Sequence, residues 1–224
     1  MKQRLFVDMD GTLNEWSTTD TMYEICQPGY FAHRPVQQNI LLAVMELTGV
    51  YDVYILSSVF ADAHSIQDKN EWLDEYFDIP ESHRIYVPCG EPKSKYVPNP
   101  RKTDILLDDF SVNLHEWHGI GVKVKNGING TKGTWHGFEL HINQNIDCIV
   151  ETIKAAGQLA LKENKKTVVE SEQGMTKEKV KDIFQTQLIC DTTNCDNQFC
   201  DECEHYCSPS RIHEAIEYCM KYLL

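Results

Sequence analysis

The chain has 224 residues and a mass of 25.8 kDa, with 42% hydrophobic and 25% charged residues. Such a composition supports one ordinary domain with its own core, or a core domain with a small appendage, and excludes a fibrous or wholly disordered chain. A formal net charge of -13 and only five scattered arginines (Arg4, Arg34, Arg84, Arg101 and Arg211) exclude the broad basic face that coats duplex nucleic acid.

No apolar run reaches the roughly 18 residues of a membrane span. The opening MKQRLFVDMDG has acids by position 8 and no apolar stretch before them, so it does not read as a signal peptide, and a cytoplasmic protein is expected. Four of the nine cysteines are isolated (Cys26, Cys89, Cys148 and Cys219), and five crowd into residues 190–207. An odd count in a chain without a secretion signal argues for reduced thiols or a metal over a disulfide framework.

The first two thirds alternate between short apolar runs and amphipathic stretches, the pattern of an α/β protein. Residues 4–7 (RLFV) predict a strand ending in acid. Residues 35–48 carry Val36, Ile40, Leu41, Val44 and Leu47 at helical spacing, stopped by Gly49. Residues 52–56 (DVYIL) predict a second strand, followed by Ser57 and Ser58. A polar helix over 65–76 carries Ile66, Trp72, Leu73 and Tyr76. Further strands are predicted at 84–87, 104–107 (DILL, again ending in acid) and 121–124, with a short helix at 112–118. Continuous apolar runs of this kind mark buried parallel strands. The glycine-rich stretch 126–137 predicts tight turns near a functional edge.

The last third changes character. A helix is predicted over 145–161, a solvated polar link over 162–173, a second helix over 176–188, then the cysteine-dense loop. Ser208 and Pro209 cap a final helix running to Leu223. The expected division is a core at 1–144, with a small cap insert around 14–50, and a helical extension at 145–224.

Asp8 and Asp10 follow the first strand, Ser57 and Ser58 the second, and Asp108 and Asp109 the fourth. In an open parallel sheet the carboxyl ends of the strands form the ligand crevice. Four carboxylates gathered there repel one another unless a cation joins them, and such oxygen-rich ligation suits Mg²⁺. Asp8 and Asp10, two apart before a turn at Gly11, can reach one site, one attacking phosphorus and the other handling protons.

The segment DMDGTL at 8–13 resembles the first motif of haloacid-dehalogenase-type phosphohydrolases, and the later strand ends resemble that family's remaining motifs in order. The resemblance implies a Rossmann-like three-layer parallel sheet with a minimal cap and a helical C-terminal extension. It also implies Mg²⁺-dependent phosphomonoester hydrolysis through an aspartyl-phosphate. By that resemblance Asp8 is the nucleophile, and Asp10 the general acid/base, with both also at the Mg²⁺ ion. Ser57 binds the phosphoryl group, with Met9, Gly11, Thr12 and Ser58 around it, and Asp108 and Asp109 complete the metal site. Within GEPKSKYV (90–97), Lys93 is favoured as the lysine that neutralises the phospho-aspartate, and Lys95 competes with it. Which of Asp108 and Asp109 bonds the ion directly is left open.

More narrowly, ILSS, KSKYV, DILLDDFSVNLHEW and NGINGTKGTWHG resemble the 5'(3')-deoxyribonucleotidase-like branch, bacterial and phage members above all, over about residues 4–137. That implies a small phosphorylated metabolite as partner, a deoxynucleoside monophosphate in particular. A sugar phosphate, a phosphoprotein or a nucleic-acid end are alternative substrates, and a non-catalytic interaction protein using its cysteine-rich tail is an alternative of another class.

Several residues admit two readings. Trp16, Tyr23, Tyr30 and Phe31 in the cap region suit base stacking as well as packing. Arg34 suits a phosphate contact or a surface position. Trp135 and His136 suit the site entrance or plain packing, and His115 and His118 suit a surface or packing role. Cys195, Cys200, Cys203 and Cys207 offer soft ligands for a structural Zn²⁺, with free thiols and disulfides as alternatives.

Overall fold

A computed structural model describes residues 2–62, 64–129 and 134–173, the last eight as helical backbone alone. The chain divides into two compact units, Met1–Asn164 and Lys165–Leu224, and nearly all described residues lie in the first. The cysteine cluster, with the candidate zinc ligands Cys195, Cys200, Cys203 and Cys207, and the helices expected at 176–188 and from Ser208 lie outside the described residues.

Six parallel strands form one sheet in the order β3-β2-β1-β4-β5-β6: β1 Arg4–Val7, β2 Asp52–Val59, β3 Arg84–Pro88, β4 Ile105–Asp108, β5 Ile120–Lys125 and β6 Phe138–His141. The expected α/β sheet is present. The short apolar runs of β1 and β4 are buried along their whole length, as central strands covered on both faces must be. Strand β6 was not anticipated, since its sequence FELH alternates apolar and polar residues over only four positions, too few to stand out beside the glycine-rich stretch.

Side-chain alternation sorts the sheet into two faces. Leu5, Val7, Val53, Ile55, Ile105, Leu107, Val122 and Val124 point into the larger cluster. Helices α2 (Gln38–Leu47), α3 (Ser65–Tyr76) and α5 (Ile146–Gln173) cover it through Ile40, Val44, Trp72, Leu73, Ile149 and Ile153. Phe6, Leu56, Val87 and Leu106 point the other way, against Val97, Trp117, Trp135 and Leu114 of the short helix α4 (Ser111–His115). The second layer is thin.

Three sequence expectations change. Helix α2 belongs to the core layer, so the cap narrows to the segment before it, which holds one four-residue helix, α1 (Met22–Ile25), closed by a Thr21–Glu24 capping box. Helix α5 continues to Gln173 through the stretch read as a polar link, because that stretch contains neither Gly nor Pro to stop it. The compact unit runs to Asn164 rather than ending near 144, since Ile149, Val150, Ile153 and Ala156 on α5 complete the core. Among the described residues no helix is long and apolar enough to cross a membrane.

At the amino ends of the strands sits a buried charge cluster. Asp104 receives Nε and Nη2 of Arg4 at 2.9 and 2.6 Å and lies 2.8 Å from Nε2 of His118. Burial raises the carboxyl's pKa, yet hydrogen bonds from His118 and Arg4 outweigh it and hold the group below its ordinary value. Removing one partner of a buried pair leaves the other charge uncompensated. Asp104→Asn is expected to destabilise the fold by roughly 3–5 kcal/mol in urea denaturation, whereas Arg4→Met/Asp104→Leu together recovers much of the loss. A loss under about 1 kcal/mol in the single variant would remove this cluster from any account of stability.

Candidate active site

Pairing register brings the acids together. Val7 lies beside Leu107 on one side and Ile55 on the other. One residue further, Asp8 emerges beside Asp108, its N–H bonded to the Leu107 carbonyl at 2.9 Å. The chain then turns back on itself, the Met9 carbonyl accepting the N–H groups of Thr12, Leu13 and Asn14 at 2.8–3.1 Å. Gly11 has φ +81°, and a Cβ there would lie 2.4 Å from Asp109 Oδ2. Only glycine lets the first loop pass so close to the fourth. Met9 and Thr12 are fully buried, with Met9 in the core, and both build the turn.

Lys93, on a 3₁₀ turn Lys93–Tyr96 after β3, is buried with its ammonium 2.6 Å from Asp8 Oδ1 and 2.7 Å from Asp108 Oδ2. Lys95 is exposed and paired with Glu91 at 3.0 Å. Of the two lysines, Lys93 is the one brought to the acids. The acids at 108 and 109 also part company. Asp108 is saturated: besides Lys93 it accepts the Phe110 N–H at 2.8 Å and Asn113 Nδ2 at 3.2 and 3.0 Å. Asp109 takes Asn126 and Asn129 on Oδ2 at 2.7 and 2.6 Å. Among the described residues no hydrogen bond ends on Asp109 Oδ1 or Asp8 Oδ2. Ligand oxygens of Asp8, Asp108 and Asp109 lie within 4.8 Å of one another.

The electrostatics of this cluster call for a further cation. Burial pushes the Asp8 carboxyl up; Lys93 opposes the rise and the charges of Asp108, Asp109 and Asp10 add to it, leaving a pKa of about 8. Burial and the Asp108 charge push Asp109 up to about 6 against the Asn129 and Asn126 hydrogen bonds. Lys93 itself is held above its ordinary value, because Asp108 and Asp8 outweigh the cost of its burial. One ammonium between Asp8 and Asp108, with Asp109 beside them, is too little positive charge, and Asp8 Oδ2 and Asp109 Oδ1, unbonded among the described residues, face the shortfall. A hard divalent ion with oxygen ligands fits there.

A second lysine escaped the sequence analysis. Lys69 on α3 is fully buried, and its ammonium donates to Asp10 Oδ2, to Ser57 Oγ at 2.8 Å and to the Ser58 carbonyl at 2.8 Å. The Phe31 ring centroid lies 4.6 Å from it. Asp10 Oδ1 is buried without a partner. The clue was spacing, since Lys69 precedes Trp72 and Leu73 by three and four residues and so shares the buried stripe of α3. Ile66, also on α3, is 47% exposed. A third buried ammonium, Lys123 on β5, holds the Asp109 carbonyl and Ser111 Oγ.

Other candidates sit elsewhere. Arg34 donates to the Glu15 carbonyl and to Asp20, and stacks over Tyr30, so its guanidinium is already engaged inside the cap. Tyr30 is tied to Asp20 at 2.8 Å and Phe31 is buried, whereas Tyr23 stands exposed and Trp16 partly so. Trp135 is not brought to the site: its ring rests on Gly121 near the start of β5 and on Gly137, where any Cβ would fall 2.8 and 2.4 Å from it. His115 packs against that ring, and His118 belongs to the Asp104 cluster.

A carboxyl with a higher pKa folded than unfolded holds its proton only in the folded chain between the two values. Metal-free stability therefore falls as pH rises through that interval, which for Asp8 runs from 3.8 to about 8. In EDTA, Asp8→Asn is expected to gain on the wild type by up to about 1.4 kcal/mol per pH unit between about pH 5 and about pH 8. A gap that stays constant across that range in urea titrations would mean that Asp8 is ionised throughout.

No family model matches the chain. A Staphylococcus aureus (strain Mu50) protein assigned as a 5'(3')-deoxyribonucleotidase is 30% identical over 127 residues, covering 54% of this chain and 67% of the relative. The 5'(3')-deoxyribonucleotidase of Bacillus subtilis (strain 168) is 30% identical over 107 residues, or 47% of this chain and 58% of that one. Among solved structures, a D,D-heptose 1.7-bisphosphate phosphatase from B. bronchiseptica, complexed with magnesium and phosphate, overlays with a TM-score of 0.49 at 13% identity, covering 69% of this chain and 99% of that one. Sequence likeness at this level, over two thirds of the Staphylococcus relative and on a parallel sheet whose strand ends gather the acids, reflects common descent: the chain belongs to the haloacid-dehalogenase-type phosphohydrolases, in their 5'(3')-deoxyribonucleotidase-like branch.

Proposed function

We propose that the protein hydrolyses deoxyribonucleoside monophosphates through an aspartyl-phosphate on Asp8, with Mg²⁺ as cofactor. The observation that carries the mechanism is the unequal use of the Asp8 oxygens. Oδ1 is held by Lys93 while Oδ2 is free, and Asp10, fixed from behind by Lys69, keeps an unpartnered oxygen of its own.

Asp8 and Asp109 are the residues that would hold the ion directly, Asp109 through Oδ1 and Asp8 without giving up Oδ2 to it. Asp108 is the acceptor that fixes Lys93. A bound Mg²⁺ supplies positive charge to the phosphoryl oxygens as charge shifts. Asp8 then attacks phosphorus, the new oxygen–phosphorus bond forming as the ester bond breaks. Asp10 gives a proton to the departing oxygen and later takes one from the water that attacks the aspartyl-phosphate, regenerating Asp8 and releasing phosphate. Ser57 is set for the phosphoryl group by Lys69. An ammonium has no lone pair, so the serine oxygen accepts from it and the hydroxyl hydrogen is left to donate. Lys93 balances the charge of Asp8 before attack and of the phosphoryl group after it.

The substrate reading rests on the relatives named above, with Trp16 and Tyr23 in the cap available for stacking on a base. Phosphate release from ribo- and deoxyribonucleoside monophosphates and from simple sugar phosphates, with Mg²⁺ or EDTA, tests it. Release that needs Mg²⁺ and is confined to deoxynucleotides is expected. Asp8→Asn should lose about 10⁴-fold or more in kcat and Asp10→Asn about 10²- to 10⁴-fold. Undiminished turnover by Asp8→Asn would sink the covalent route, and release from sugar phosphates alone would keep the route and discard the nucleotide.

Lys69→Met keeps the buried stem and removes the charge. Its kcat should fall about 10²-fold with a smaller change in KM, because Asp10 and Ser57 lose their common anchor. A change confined to KM would place Lys69 in substrate binding alone.

A further inference from the structure

We propose that Asn126 and Asn129 hold Asp109 to one-oxygen ligation and thereby make the cation site select Mg²⁺ over Ca²⁺, an inference that rests on the reading of Asp109 as a direct ligand. A carboxylate oxygen has two in-plane lone pairs, and both of those on Asp109 Oδ2 are occupied, by Asn126 Nδ2 at 2.7 Å and Asn129 Nδ2 at 2.6 Å. Only Oδ1 is left for an ion. Mg²⁺ takes single oxygens at short distance in an octahedron, whereas Ca²⁺ gathers six to eight oxygens at longer distance and often uses both oxygens of a carboxylate. A carboxylate with one oxygen withheld serves the smaller ion and fails the larger.

The clamp cannot turn aside at little cost. Asn126 Oδ1 accepts the N–H groups of Ile128 and Asn129 at 2.9 and 3.3 Å, and its other amide hydrogen goes to the Gly11 carbonyl at 2.8 Å. Rotating the amide would break contacts in three loops. The main chain of Asp109 is held as well, since Lys123, which lies opposite Asp108 in the β4–β5 register, grips its carbonyl. Nor can Asp108 offer a second oxygen instead, because Lys93, Asn113 and the Phe110 N–H occupy it. Neither asparagine has any part in the proton or phosphoryl transfers, so they are positioning residues.

The test is calorimetric titration of the full-length metal-free protein with Mg²⁺ and with Ca²⁺, comparing wild type, Asn126→Ala/Asn129→Ala and Asn129→Ala. Wild type is expected to bind Mg²⁺ more tightly. In the double variant the ratio of Ca²⁺ to Mg²⁺ dissociation constants should fall at least tenfold, and in Asn129→Ala about threefold, as Oδ2 becomes available. A purely structural role would weaken both ions alike and leave the ratio unchanged, and that result overturns the proposal, as does a wild type without preference. Should the double variant fail to fold by circular dichroism, Asn129→Ala decides alone, since it leaves the Asn126 turn in place. Asp109→Asn separates the two levels of inference. Unchanged Mg²⁺ affinity in that variant rejects Asp109 as a ligand, while lost affinity alongside an unchanged ratio in the asparagine variants rejects only the selectivity.

Discussion

Crowding of like charge at the carboxyl edge of the two central strands is the constraint on which the rest of this molecule depends. The β1–β4 register sets Asp8 beside Asp108, and the turns that follow bring in Asp10 and Asp109. Four carboxylates in largely buried surroundings would not stay together unaided. Two buried lysines pair with them, Lys93 from the turn after β3 and Lys69 from α3, and a third, Lys123 from β5, holds the Asp109 carbonyl. The balance is short of positive charge, and the Asp8 and Asp109 carboxyls show it by holding their protons more tightly than usual.

Packing explains why that arrangement holds still. The face bearing Val7, Ile55 and Leu107 is sealed by three helices, and Ser57 follows Ile55 on that face, where α3 supplies Lys69. Asp8 and Asp108 follow Phe6 and Leu106 on the thinner face, where the turn after β3 supplies Lys93. Alternation along two strands thus decides which lysine meets which acid.

Much of this was legible in the sequence. Apolar runs ending in Asp or Ser placed the sheet and four site acids, because buried parallel strands leave a continuous hydrophobic signature. The 65–76 helix was legible to the residue. What escaped was whatever depends on long-range register. Spacing alone puts Lys69 on a buried stripe and Lys123 within a buried strand, but their oxygen partners become visible only once the sheet is assembled. Trp135 sits beside glycines and invites an entrance reading, yet its ring lies over one of them, Gly137, and over the distant Gly121 near the start of β5. Helix α5 ran past its expected end, since a polar stretch without a breaker is compatible with a solvated link and with an exposed helix alike.

Helix α3 does two jobs within five residues. Asp68 accepts the Phe31 N–H and Trp72 Nε1 donates to the Arg34 carbonyl, so both ends of this stretch grip the cap segment, while Lys69 between them grips Asp10 and Ser57. The cap segment and the Asp10 carboxylate are therefore anchored to one helix. On the role proposed above for Asp10, a substitution that merely loosens the cap will read, in kinetics, as a fault in proton transfer.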